Sequence, residues 1–248
     1  MNTIVIPMLF SVIGLGSNPC GDPVKKIKQP YLYEPAYAID DVLRGKPQLY
    51  KPQAGDFVFF YEDNDFWHVM YKVAFTGPPY HVAVVVLMPN GEYRLLESGP
   101  NDTFHVRLCP MGCRLQRWHG SVYIRRRVQP LTAHESNQLT EYAIRQNGKR
   151  YAIVRLGAQI TPLRSRGPLR SFFLGHSCPD SSSFLCAECV IEASIYAGLF
   201  KKEDCRPCAT YPEDMFYDHS RNLFLNKHFK LAPNWDPPQR WTVDPVTP

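Results

Sequence analysis

The stretch His81-Val82-Ala83-Val84-Val85-Val86-Leu87-Met88-Pro89-Asn90-Gly91-Glu92-Tyr93-Arg94-Leu95-Leu96-Glu97-Ser98 decides how this chain is read. Residues 82–88 are continuously apolar and rich in valine, the pattern of a strand buried on both faces. Pro89-Asn90-Gly91-Glu92 is a turn of the Asn-Gly hairpin type, and Tyr93 to Ser98 is the return strand. An antiparallel hairpin brings its end back beside its beginning, so His81 and Glu97 are expected to be neighbours. Counted from the turn, the two residues are unevenly spaced, which predicts a bulge or a longer turn.

Outward from this hairpin, Gly55-Asp56-Phe57-Val58-Phe59-Phe60 reads as a turn followed by an apolar strand. Val106 to Leu108 and Ser121 to Arg127 read as further strands of the same sheet. Thr132 caps a helix running through Ala143, with Glu135 completing a capping box and Gly148 ending it. Residues 157–182 are rich in Gly, Pro, Ser and Arg and read as a long surface loop. Phe184 to Gly198 reads as a buried helix closed by Gly198. Five strands followed by two main helices give an α+β class, an antiparallel sheet packed against helices. The predicted core domain spans 52–212. Residues 1–51 form an irregular lead-in with a short helix near Ala38 to Leu43, and 213–248 a Pro-rich C-terminal extension laid on the domain as extended coil.

The chain has 248 residues, 44% of them hydrophobic and 21% charged, which excludes disordered and fibrous classes. Its formal charge of +5 is too small to argue for nucleic acid, and no phosphate loop is present, so no nucleic-acid partner is expected. Ile4 to Leu15 is too short to span a bilayer. It reads either as a buried segment of a cytoplasmic protein or, with Gly14-Leu15-Gly16 as cleavage site, as a signal peptide 1–16 exporting the chain to the cell envelope. The aromatic stretch Phe66, Trp67, Tyr71 and Phe75 is core packing or, alternatively, an acyl-chain wall or membrane-facing helix. Arg125-Arg126-Arg127 and Arg164, Arg166 and Arg170 read as solvated basic surface, with recognition of a carboxylate-bearing peptide as the alternative.

Eight cysteines raise the question of chemistry. Cys186-x2-Cys189 and Cys205-x2-Cys208, fifteen residues apart, match zinc-ribbon spacing. Against zinc, Cys186-Ala187-Glu188-Cys189 has no turn former and continues into helical apolar spacing, whereas zinc knuckles need turns. Cys109 and Cys113 are candidates to pair with each other or with the tail. The other reading is a nucleophile. A thiol attacks as its thiolate, and the start of a helix favours negative charge. Cys186 stands at the start of the predicted helix, after Ser181-Ser182-Ser183. A base must be a histidine held by a third group, and His81 beside Glu97 supplies that pair. His68, His105, His119 and His176 lack such a partner, with His105 kept as a substitute base.

The order of these segments resembles the permuted NlpC/P60-type papain-like hydrolases, the YiiX/YebB-like branch, related more distantly to the lecithin:retinol acyltransferase group. The resemblance rests on a Gly-Asp-aromatic strand, a His-headed strand, a Glu-ended strand, then Phe184-Leu185-Cys186-Ala187-Glu188-Cys189-Val190, and covers roughly 52 to 212. It implies a circularly permuted papain-like fold and a cysteine hydrolase that forms a thioester. It implies Cys186 as nucleophile, His81 as general base and then acid, and Glu97 as the orienter of His81. It further implies Glu188 as structural or oxyanion-side support and Tyr151, after Gly148-Lys149-Arg150, as a residue lining the site. The substrate would be a peptide-like or N-acyl amide or another acyl compound, with no cofactor. Cys189 departs from the aliphatic residue usual there, which keeps the zinc alternative and a local disulfide in view.

Overall fold

The computed structural model describes residues 29–34, 46–62, 69, 72–74, 76–99, 104–162, 164–165 and 170–243. The expected signal peptide, the helix near Ala38, the aromatic stretch at 66–75 and His68 lie outside or mostly outside these residues.

The strands are β1 (Tyr31–Tyr33), β2 (Gln48–Leu49), β3 (Phe57–Glu62), β4 (His81–Leu87), β5 (Tyr93–Ser98), β6 (Val106–Pro110), β7 (Gly120–Arg125), β8 (Arg150–Tyr151), β9 (Ser183–Phe184) and β10 (Gln239–Thr242). The helices are α1 (Met111–Gln116), α2 (Ala133–Gln146), α3 (Ile153–Gln159), α4 (Arg170–Phe173), α5 (Cys186–Tyr196), α6 (Pro212–Tyr217) and α7 (Leu223–His228). Eight strands form one antiparallel sheet in the order β2-β1-β10-β7-β3-β4-β5-β6. The two short strands β8 and β9 pair in parallel beside it. The molecule is therefore α+β, a large antiparallel sheet packed against helices.

The hairpin at the centre of the sequence reading is β4-β5. Gly91, at φ +82°, takes the left-handed position of the turn, and its N–H donates to Met88 O at 2.8 Å. The pairing is regular, with Leu87 opposite Tyr93 and Ala83 opposite Glu97. No bulge shifts the register. His81 lies two residues before Ala83 on the same face, so Glu97 is its diagonal neighbour, within reach of a long side chain.

Alternate residues of β3 and β4 face two different cores. Phe57, Phe59, Val82 and Val84 pack with Ala187, Val190 and Ile191 of α5 and Leu139 and Ala143 of α2. Val58, Phe60, Ala83 and Val85 pack with Met111 and Leu115 of α1 and with Trp241. α2 starts as expected: Thr132 Oγ1 accepts from Glu135 N at 3.2 Å and Glu135 Oε2 accepts from Thr132 N at 2.7 Å. α5 is buried along most of its length, as a helix apolar on nearly every face must be.

Four expectations change. The lead-in and tail are not wholly irregular: β1, β2 and β10 come from them and extend the sheet to eight strands. The region 157–182 contains the end of α3 and all of α4. A short helix, α1, follows β6 directly. Arg125 is no surface residue. It is buried, donating to Met215 O, Phe216 O and Asp236 O and, at 2.7 Å, to the Asp218 carboxylate.

Candidate active site

His81 is the first residue of β4, and that position lets it touch groups from both faces of the sheet. By pleat parity it belongs with Ala83 on the α1 face, whereas Cys186 arrives on α5 from the other face. They meet past the end of the strand, where Cys186 Sγ lies 4.0 Å from Tyr80 O, the residue just before β4. His81 Nε2 meets Glu97 Oε2 at 2.8 Å, and Cys186 is close enough to help raise the imidazole pKa. With Nε2 taken by Glu97, Nδ1 is the ring nitrogen left for the sulfur. Gly99 makes the space: a Cβ there would fall 2.9 Å from His81 Cε1 and 3.2 Å from Nδ1. Phe60 backs the ring, its centroid 5.3 Å away.

Glu97 is the hub. Its side chain is 2% exposed. Arg114 Nε donates to Oε1 at 2.9 Å and to Oε2 at 3.2 Å, Arg107 Nε donates to Oε1 at 2.9 Å, and Cys109 Sγ donates to Oε1 at 3.2 Å. The Arg114 guanidinium also sits over the rings of Phe60 and Trp118, at 5.1 and 4.9 Å. Burial alone would raise the Glu97 pKa. The charge of Arg114, the bond and charge of His81, and the charge of Arg107 outweigh it and hold the carboxyl well below its ordinary range. For His81, burial pulls downward, but hydrogen bonds to Cys186 and Glu97 and attraction to both raise its pKa to about 9. The imidazole is thus a cation at neutral pH. Three cationic side chains surround one carboxylate, and the group carries net positive charge.

Cys186 opens α5 and is half-buried, more accessible than His81 or Glu97. The chain leading to it is pinned from two sides. Ser98 Oγ donates to Phe184 O at 3.0 Å, and Ala152 N donates to the same oxygen at 3.0 Å. Glu188 caps the helix by accepting from Leu185 N at 2.9 Å, and its other oxygen pairs with Arg155 at 2.7 Å. Cys208 Sγ donates to that same oxygen at 2.9 Å. Tyr151 is opposite Phe184 in the β8-β9 pair and packs with Leu185. The first N–H groups of a helix have no intrahelical acceptor, so the start of α5 offers donors beside the sulfur.

The structure thus brings His81, Glu97 and Cys186 together and sets Glu188 and Tyr151 around the segment that carries Cys186. It does not assemble Cys186, Cys189, Cys205 and Cys208 into a zinc site. Among the described residues, no three His, Cys, Asp or Glu side chains converge as metal ligands. The described cysteines are free thiols, and Cys109 bonds Glu97 instead of Cys113. His105 is exposed and bridges to Arg150. The sequence reading missed Arg107, Arg114, Cys109, Ser98 and Gly99. Only Arg107 had a signal, as a cation directly opposite Glu97 once β5 and β6 are paired.

No protein-family model matches the chain, and no curated protein matches it either. Among solved structures, it is similar to the metalloprotein YiiX from Escherichia coli O157:H7. The TM-score is 0.41 at 18% identity, over 60% of this chain and 67% of that one. That likeness is too faint to transfer a fold or an activity.

Proposed function

We propose that the protein is a cysteine hydrolase of the permuted papain-like kind, cleaving a peptide-like or N-acyl amide, or a related ester, through a thioester on Cys186. One observation carries the reading. His81 is held at 2.8 Å by a buried, ionised Glu97, and a half-buried cysteine at a helix start lies close enough to raise its pKa further.

The chemistry follows from the charges. Cys186 attacks the carbonyl carbon as the thiolate, and the oxyanion is met by N–H groups at the start of α5. The His81 imidazolium gives its proton to the leaving nitrogen or oxygen as the bond to carbon breaks, leaving a thioester. The neutral imidazole then takes a proton from water. That water attacks the thioester, the acid leaves, and Cys186 recovers its sulfur. Glu97 keeps the ring oriented and stabilises its cationic form, and the arginines keep Glu97 ionised.

The test is an alkylating thiol probe applied to the folded protein, with the labelled peptide mapped. Cys186 is expected to label first, and Cys186→Ala to lose labelling and turnover on an acyl-substrate panel while remaining folded. Turnover surviving in Cys186→Ala would sink the proposal. Folded protein whose Cys186 labels but turns over no substrate in the panel would point to a silent binding protein of this architecture.

A further inference from the structure

Cys186-Ala187-Glu188-Cys189 sets two thiols in the first turn of α5. The helical bond from Cys189 N to Leu185 O, at 2.9 Å, shows that this turn is regular. Residues three apart on a helix are surface neighbours, with Cβ atoms roughly 5–6 Å apart. A disulfide needs roughly 3.5–4.5 Å between them, so tightening of the end turn alone would join the two sulfurs. The thiols differ in their surroundings. Cys186 is half-buried beside the His81 cation, whereas Cys189 is fully buried. Burial, with the nearby Glu188, holds the Cys189 thiol protonated. The accessible sulfur beside the His81 cation is Cys186, and it is the one a peroxide reaches, reacting as the thiolate.

We infer that Cys186 and Cys189 form a redox modification site, in which oxidation of Cys186 is captured as a disulfide within the first turn of α5. This rests on Cys186 being the reactive thiol of the proposed hydrolase. In the first step the Cys186 thiolate attacks a peroxide oxygen. The O–O bond breaks, sulfur is oxidised to a sulfenic acid, and the peroxide is reduced, its other half leaving as hydroxide or alkoxide. In the second step the Cys189 sulfur attacks the Cys186 sulfur. The S–S bond forms, the S–O bond breaks, and the hydroxide leaves as water with the proton of Cys189. The product has no nucleophile, yet a dithiol restores it. Without Cys189 the sulfenic acid is open to a second peroxide and the irreversible sulfinic acid. Cys208 is the competing thiol, but it is engaged by Glu188 at 2.9 Å and by Arg155 Nη1 at 3.2 Å.

The full chain is treated with hydrogen peroxide, its remaining thiols are blocked by an alkylator under denaturing conditions, and its peptides are mapped by mass. The expected peptide carries Cys186 and Cys189 unblocked and is lighter by two hydrogens. Probe labelling of Cys186 is lost and returns with dithiothreitol. In Cys189→Ala and Cys189→Ser, labelling is lost for good and Cys186 is found as sulfinic acid. A Cys186–Cys208 link, or sulfinic Cys186 beside a blocked Cys189 in the natural chain, overturns the inference while leaving the hydrolase reading intact. A Cys186 inert to both peroxide and alkylator overturns the two together.

Discussion

Burial should drive Glu97 toward its neutral acid, yet it is the group on which the site's charges depend. Its effect on His81 is testable directly. The imidazole pKa is raised from 6.5 to about 9 in the folded chain, so the native state binds that proton more tightly than the unfolded chain. The resulting stabilisation is complete below pH 6.5 and fades as the pH rises toward 9. In an NMR titration, the His81 ring is expected to change charge near pH 9 and, in Glu97→Gln, at clearly lower pH. An unmoved midpoint would mean that Glu97 does not set the charge of His81. Gly99 offers a second measurement. Gly99→Ala places a methyl 2.9 Å from His81 Cε1, and the imidazole is the part that can turn away. Probe labelling of Cys186 should fall sharply, with a loss of thermal stability as the buried His81–Glu97 pair is disturbed; retained labelling would show that ring orientation does not matter. His81, Glu97 and Cys186 were legible because each lies at or next to the end of an element with a strong periodic signal. Gly99 was not, because its role is a contact distance.

At the scale of elements, six-residue α1 delivers Arg114, and nothing in Met111-Gly112-Cys113-Arg114-Leu115-Gln116 announces a helix that short. The long, capped or continuously apolar segments β4, β5, α2 and α5 could be read from periodicity alone. β1, β2 and β10 could not, because each is two to four residues long and is defined by partners far away in the chain. A pair of variants separates site support from ordinary helix stability. Arg114→Met removes one cation from a buried carboxylate and should destabilise by about 3–5 kcal/mol in denaturant unfolding, with His81 titrating abnormally. Thr132→Ala removes the cap of α2 and should lose about 1 kcal/mol with Cys186 labelling unchanged. Equal effects of both on labelling would contradict the placement of Arg114 behind Glu97.

Across the whole molecule, the segment after α7 closes the structure. Trp235 stacks on Phe57 at 5.2 Å, donates its indole N–H to Gly55 O at 2.8 Å and lies under the Arg127 guanidinium. Trp235→Ala should lose about 3–5 kcal/mol, read as an earlier denaturant midpoint. A neutral outcome would mean that the tail is not part of the cooperative unit. β10 lies between β1 and β7, with Tyr31 opposite Thr242. That adjacency means the described chain is nearly a ring already. A hairpin-length link of about 2–5 residues would join Thr242 to Tyr31, and the exposed segment Val128-Gln129-Pro130 between Glu97 and Cys186 offers a place to cut. The reconnected protein would read Cys186 first and His81 and Glu97 after it. It should fold and label at Cys186, which would make the order of the proposed nucleophile and base along the chain a matter of where the ring is opened.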